Sequence, residues 1–137
     1  MIYITRKVHF SATHKMWNDH WTPEQNQAYY GLCANENWHG HNYVLEVTLV
    51  GTINPQTGYV IDLKYLKNIL ETHIISKVDH KNLTLDVDFM KGTIPSTENF
   101  TVRVWQILYP LLNFPNAKLY EIKMYETERN WITYRGE

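Results

Sequence analysis

His39-Gly40-His41 opens the alternating stretch His39, His41, Tyr43, Leu45, Val47, Leu49, and in a strand both imidazoles point to one face. His14 closes a second alternating run, Ile2, Ile4, Val8, Phe10, Ala12, so a neighbouring strand can deliver a third imidazole beside the first two. Three neutral nitrogens with an open fourth position describe catalytic zinc. A strand His-x-His can also simply hydrogen-bond its neighbours, but the intervening Gly40 favours close approach of backbone or ligand. His9, His20 and His73 have no such setting and read as surface or satisfied core residues.

Cys33, the sole cysteine, lies six residues before His39, near enough by loop to face whatever the metal holds. Its surroundings, Gly31, Asn35 and Asn37, argue against burial. Asp79-His80 places a carboxylate beside an imidazole whose tautomer and basicity it can set. Glu126 ends a strand pattern on a face read as Tyr120, Ile122 and Met124, and a carboxylate there needs a partner. A ligand's pair of N–H donors or the guanidinium of Arg6 would serve. Glu98, in the first turn of a helix, suits the helix dipole.

These residues must be positioned by a small set of elements. Residues 2–14 read as one strand, 15–38 as a long loop of the kind that is usually functional, and 41–52 as a second strand antiparallel to the first. Within the loop, Thr22 and Pro23 signal the start of a short helix over 23–28. Asp62 caps a helix carrying Leu63, Leu66, Ile69, Leu70 and Ile74 up to about Lys77. Ser96 or Thr97 caps another, with Phe100, Val104, Ile107, Leu108 and Leu111 on its apolar face, stopped at residues 113–116. Residues 118–126 and 130–135 form a terminal hairpin around Thr127-Glu128-Arg129. The expectation is an α+β fold, a four-stranded antiparallel sheet with two helices on one face, in a single domain over 1–137. Its open edges and its uncovered face, with Tyr3, Val44, Val50 and Tyr120, call for oligomerisation.

A net charge of -1 gives no footprint for nucleic acid or an anionic membrane, leaving small molecules and other protein chains as expected partners. No apolar run approaches membrane-spanning length, and Met1-Ile2-Tyr3-Ile4 starts directly on a strand pattern, so a soluble cytoplasmic protein is expected. A lone cysteine agrees with a reducing compartment.

Phe10 to His14, Gly31-Leu32-Cys33 through His39-Gly40-His41-Asn42-Tyr43, Val78 to Leu83, Ser96-Thr97-Glu98-Asn99 and Tyr125-Glu126-Thr127 together resemble the 6-pyruvoyl-tetrahydropterin synthases. The likeness spans essentially the whole chain, to Tyr134-Arg135-Gly136-Glu137. It implies a tunnelling fold, in which trimers close their sheets into an oligomeric barrel and two trimers stack into a hexamer. It further implies zinc on His14, His39 and His41, and 7,8-dihydroneopterin triphosphate as substrate. Cys33 would be the catalytic thiol, with Asp79 and His80 completing a triad from a neighbouring subunit. Glu126 would anchor the pterin ring, and Thr97 and Glu98 would line its pocket.

The implied chemistry is a zinc-assisted proton abstraction by Cys33, internal reduction of the ring and elimination of triphosphate, with no external redox cofactor. Two other readings share these residues: the 6-carboxy-5,6,7,8-tetrahydropterin synthases of queuosine biosynthesis, and a zinc-binding module without turnover. Residues Ala34 to Trp38, five in all, separate Cys33 from His39, which resembles the pyruvoyl-forming enzymes, although Trp38 stands where a small residue is usual. There is no glycine-rich phosphate loop, and Lys15 and Arg129 are the candidate basic residues for the triphosphate.

Overall fold

The structure, a computed structural model, describes every residue except Glu36 and Asn37, so the loop placement expected for Asn37 lies outside the described residues. β1 (Ile2–His14) and β2 (His39–Gly51) form one antiparallel ladder in which His14 pairs with His39 and Ala12 with His41. β5 (Ala117–Tyr125) pairs antiparallel with β2 on its other side, and β6 (Trp131–Tyr134) returns along β5. These are the four expected strands. Two short ones join them, β3 (Lys81–Asn82), parallel to β1 at Ala12 and Thr13, and β4 (Asn113–Phe114), paired with the start of β5. Among the described residues six strands therefore replace four. Two-residue pairings carry no alternation, and this is why the sequence hides them.

Helices cover one face. α2 (Leu63–Leu70) starts at Asp62, whose side chain accepts from the Lys64 amide. It continues through a π turn over Glu71–Ile75 into α3 (Ser76–Val78). Leu66, Leu70, Ile74 and Val78 are all buried. Residues four apart overrun a turn of 3.6 residues, and the widened π turn takes up that drift, keeping the row on the sheet. α4 (Thr97–Leu108) is capped by Ser96, which accepts from the Asn99 amide. It buries Phe100, Val104 and Leu108, and Leu112 rather than Leu111 completes the row because the helix ends at Leu108.

The core lies between these helices and the alternating face Val8, Phe10, Tyr43, Leu45, Val47, Leu49. Each such side chain contributes about 1.5–3 kcal/mol by leaving water. A bulge in β5 opposite Thr48 and Leu49 moves Tyr120 off the Ile122 and Met124 face. Tyr120 instead meets Tyr3 edge to face on the uncovered side, correcting the continuous alternation expected from 118 to 126. Glu121 there takes two bonds from the Arg135 guanidinium, at 2.9 and 2.8 Å, tying down the C-terminus. Among the described residues no helix is long and apolar enough to cross a membrane.

Candidate active site

The ends of β1 and β2 that meet at His14 and His39 leave the core and carry imidazoles where the rest of the ladder carries aliphatic groups. One ring nitrogen from each of His14, His39 and His41 lies within 4.8 Å of the others, so the three could hold a metal ion. His14 is buried, and its Nδ1 lies 2.8 Å from the Pro95 carbonyl, which accepts its proton and leaves Nε2 with a lone pair. Burial, foremost, pushes the His14 and His39 imidazoles below their usual range, with the neighbouring His41 adding to it at His39. Both are therefore neutral at pH 7, the form a metal requires. The Nε2 atom of His41 is buried without a hydrogen-bond partner. Three converging ring nitrogens, one of them buried with no hydrogen-bond partner, fit a bound cation.

Glu126 follows β5 directly and lies 3.6 Å by its Oε1 from Nε2 of His41. Its Oε2 accepts a hydrogen bond from the Thr97 hydroxyl at the start of α4, so its partner is Thr97 and not Arg6. Thr97, Glu98, Glu126, Arg129, Asn130 and Trp131 line a hollow of about 480 Å³ beside the imidazoles. The sequence reading named the first three. Arg129 to Trp131 were missed as lining because hairpin geometry, not residue type, brings them there. Tyr43, fully buried beneath the rings, is pushed up chiefly by that burial and stays a neutral phenol.

α1 (Pro23–Tyr30) runs two residues past the expected end, with Thr22 and Gln25 forming a reciprocal capping box. The following 3₁₀ turn, Gly31–Ala34, carries Cys33, whose side is exposed as expected. The Cys33 carbonyl accepts from the Met16 amide at 2.8 Å, which ties the thiol-bearing turn to the chain just beyond His14.

Asp79 and His80 stand elsewhere. The Asp79 carboxylate accepts the Ser11 amide and pairs with His80 Nδ1, both at 3.0 Å. The Ser11 amide, then the His80 contact, hold it below the usual carboxylate range. His80 has φ of 59°, a left-handed conformation that a histidine seldom adopts without a compensating constraint. That constraint is its amide bond to the Ser11 carbonyl at 2.6 Å. His80 shares a hollow of about 510 Å³ with Ser11, Ala12, Thr13, Gly40, His41 and Asn42, and the side-chain positions of Ser11, Thr13, Gly40 and Asn42 alternate with those of the imidazoles. Gly40 therefore opens that opposite face and not the space between the two rings. Among the described residues no hydrogen bond links Cys33 to Asp79 or His80 of the same chain.

The family model described as 6-pyruvoyl tetrahydropterin synthase matches residues 3–137. A 6-pyruvoyl tetrahydrobiopterin synthase of Dictyostelium discoideum is 41% identical over 136 residues, covering 99% of this chain and 97% of the relative. The Homo sapiens protein of that name is 40% identical over 134 residues, with 98% and 91% coverage. The structure of Caenorhabditis elegans 6-pyruvoyl tetrahydropterin synthase superposes with a TM-score of 0.91 at 35% identity, covering 99% of this chain and 96% of that one. With full-length identity of this order and one shared fold, the chain belongs to the 6-pyruvoyl tetrahydropterin synthase family and is a carbon-oxygen lyase.

Proposed function

We propose that this chain converts 7,8-dihydroneopterin triphosphate to 6-pyruvoyl-tetrahydropterin with elimination of triphosphate, using zinc held by His14, His39 and His41. The observation that carries this reading is the orphaned, buried Nε2 of His41, set among the imidazoles of His14 and His39 and the Glu126 carboxylate. His14, His39 and His41 would hold a divalent ion that, when bound, would polarise substrate hydroxyls and acidify the adjacent C–H. Imidazole ligands without a carboxylate suit zinc.

Glu126, held by Thr97, accepts the two parallel N–H donors on the guanidine-like edge of the pterin, and Glu98 lines the same hollow. The Cys33 thiolate removes the side-chain proton at Sγ. His80, oriented through Nδ1 by Asp79, stabilises that thiolate across a subunit boundary, because within one chain the pair faces the other side of the sheet. The elimination needs no external oxidant or reductant, since the side chain and ring exchange the hydrogens internally.

The composite triad requires a homo-oligomer, proposed as a hexamer built from two trimers of this single domain, acting in the cytoplasm. Its support is an edge: on the side away from β2, β1 pairs with β3 only at Ala12 and Thr13, and among the described residues no strand lies on that side of the stretch from exposed Ile2 and Tyr3. Incubation with 7,8-dihydroneopterin triphosphate tests the activity. Release of triphosphate with a pyruvoyl pterin supports it. Acetaldehyde with a carboxy pterin assigns the sister activity instead, and no reaction overturns both.

A further inference from the structure

We infer that the triphosphate of the substrate docks in a second hollow on the far side of the imidazole cluster, with Lys15 and Lys91 as its cations. This inference rests on the substrate assigned above. In that substrate the hydroxyl-bearing carbons lie between ring and phosphates, so a metal on the hydroxyls and a ring at Glu126 send the phosphates away from Glu126.

The structure has a hollow there, of about 640 Å³, lined by Lys15, Trp17, Trp38, Thr84, Lys91 and Pro95 among others. Its contact with the metal cluster is direct in the chain. Lys15 follows His14, Trp38 precedes His39, and Pro95 is the residue whose carbonyl holds His14. The pterin hollow touches the cluster at His41 through Glu126, so the two hollows adjoin it through different residues.

The charges suit a polyphosphate. The Lys15 ammonium stands 4.3 Å over the Trp17 ring and 5.8 Å from the Trp38 ring, which fixes a long side chain, and among the described residues no carboxylate pairs with it. Lys91 bonds at 3.1 Å to Asp88, an exposed residue outside the lining. His20 adds a ring, and Asp19 is the only acid among the described lining residues. The Thr84 hydroxyl is buried with no hydrogen-bond partner, a donor for which a phosphate oxygen is a ready acceptor. Arg129, the other basic residue singled out by sequence, lines the pterin hollow and is excluded from this role.

The test uses the zinc-loaded full chain and inorganic triphosphate as probe. Wild-type turnover should be inhibited competitively by inorganic triphosphate. Lys91→Gln should raise KM about tenfold, and the Lys15→Gln/Lys91→Gln double variant about a hundredfold, with inhibition by triphosphate lost. In each variant kcat at saturation should stay within about threefold, and binding of unphosphorylated 7,8-dihydroneopterin should be unchanged. Lys64→Gln, on α2, is the control. Metal content is read in parallel, and should Lys15→Gln lose zinc, Lys91→Gln and Thr84→Val carry the comparison. Wild-type KM and inhibition in the lysine variants overturn the docking site while leaving the activity intact. Failure of the wild type to consume the substrate overturns the functional reading, and triphosphate binding by direct calorimetry then decides the hollow on its own.

Discussion

The two ends of the β1–β2 ladder obey the same alternation and serve opposite ends. Near Val8 and Leu45 the inward side chains are aliphatic, roofed by α2 and α4 and closed to water. Near His14 and His39 the same face carries imidazoles, and the roof is the Pro95 carbonyl, the Thr97 hydroxyl and hollows on either side. One face of one sheet thus supplies rigidity at one end and ligands at the other. The aliphatic half supplies the rigid packing that holds three imidazoles close together at the other end.

Substitutions at the two ends should separate stability from chemistry. The largest effect is expected at His41→Ala, which should abolish bound zinc and turnover while keeping the fold by circular dichroism. Leu45→Ala should instead cost about 2–5 kcal/mol in denaturant unfolding and leave zinc stoichiometry intact in the folded fraction. Next comes Cys33→Ala, expected to lower kcat by about 10²–10⁴ without moving metal content or the melting temperature. Glu126→Gln should chiefly raise KM, by about ten- to a hundredfold, as a charge-assisted pair is lost. The smallest structural effect is expected for Ser96→Ala, about 1 kcal/mol for a lost helix cap, read in urea.

The pair on the other face adds a pH dependence. Because the folded Asp79 carboxyl is held low, its contribution to stability is present above its unfolded value near 3.9 and is lost as pH falls through the folded value. Asp79→Asn should therefore flatten the acid limb of a stability curve measured between about pH 5 and 2, and a limb unchanged from wild type would remove Asp79 from the account.

Legibility in the sequence followed the length of the pattern. β1, β2 and the capped starts of α2 and α4 were readable because thirteen-residue alternation and Asx or Ser caps are local signals. The three imidazoles were readable for the same reason, since strand parity alone puts them on one face. The β5 bulge was hidden because one extra residue reverses parity without changing composition; Tyr120 lies on the uncovered face expected for it beside Tyr3, but not on one face with Ile122 and Met124. The π turn was hidden behind ordinary helical spacing. Pro95 and Trp131 reach the site through tertiary placement of a loop and a hairpin, for which residue type carries no signal, and Arg129, singled out by its charge, is placed in the hollow of Glu126 by the same hairpin. The separation of Asp79 and His80 from the metal cluster's face also needed the sheet, because their hold on the Ser11 backbone is a contact between positions 68 and 69 residues apart.

The most direct measurement is turnover of 7,8-dihydroneopterin triphosphate by chelator-stripped protein as zinc is added back. Activity should be absent at the start and rise linearly to a plateau at one zinc per chain, and the same titration of His41→Ala should stay flat. Full turnover by the stripped protein, or a rise that His41→Ala reproduces, would contradict a metal centre built from residues 14, 39 and 41.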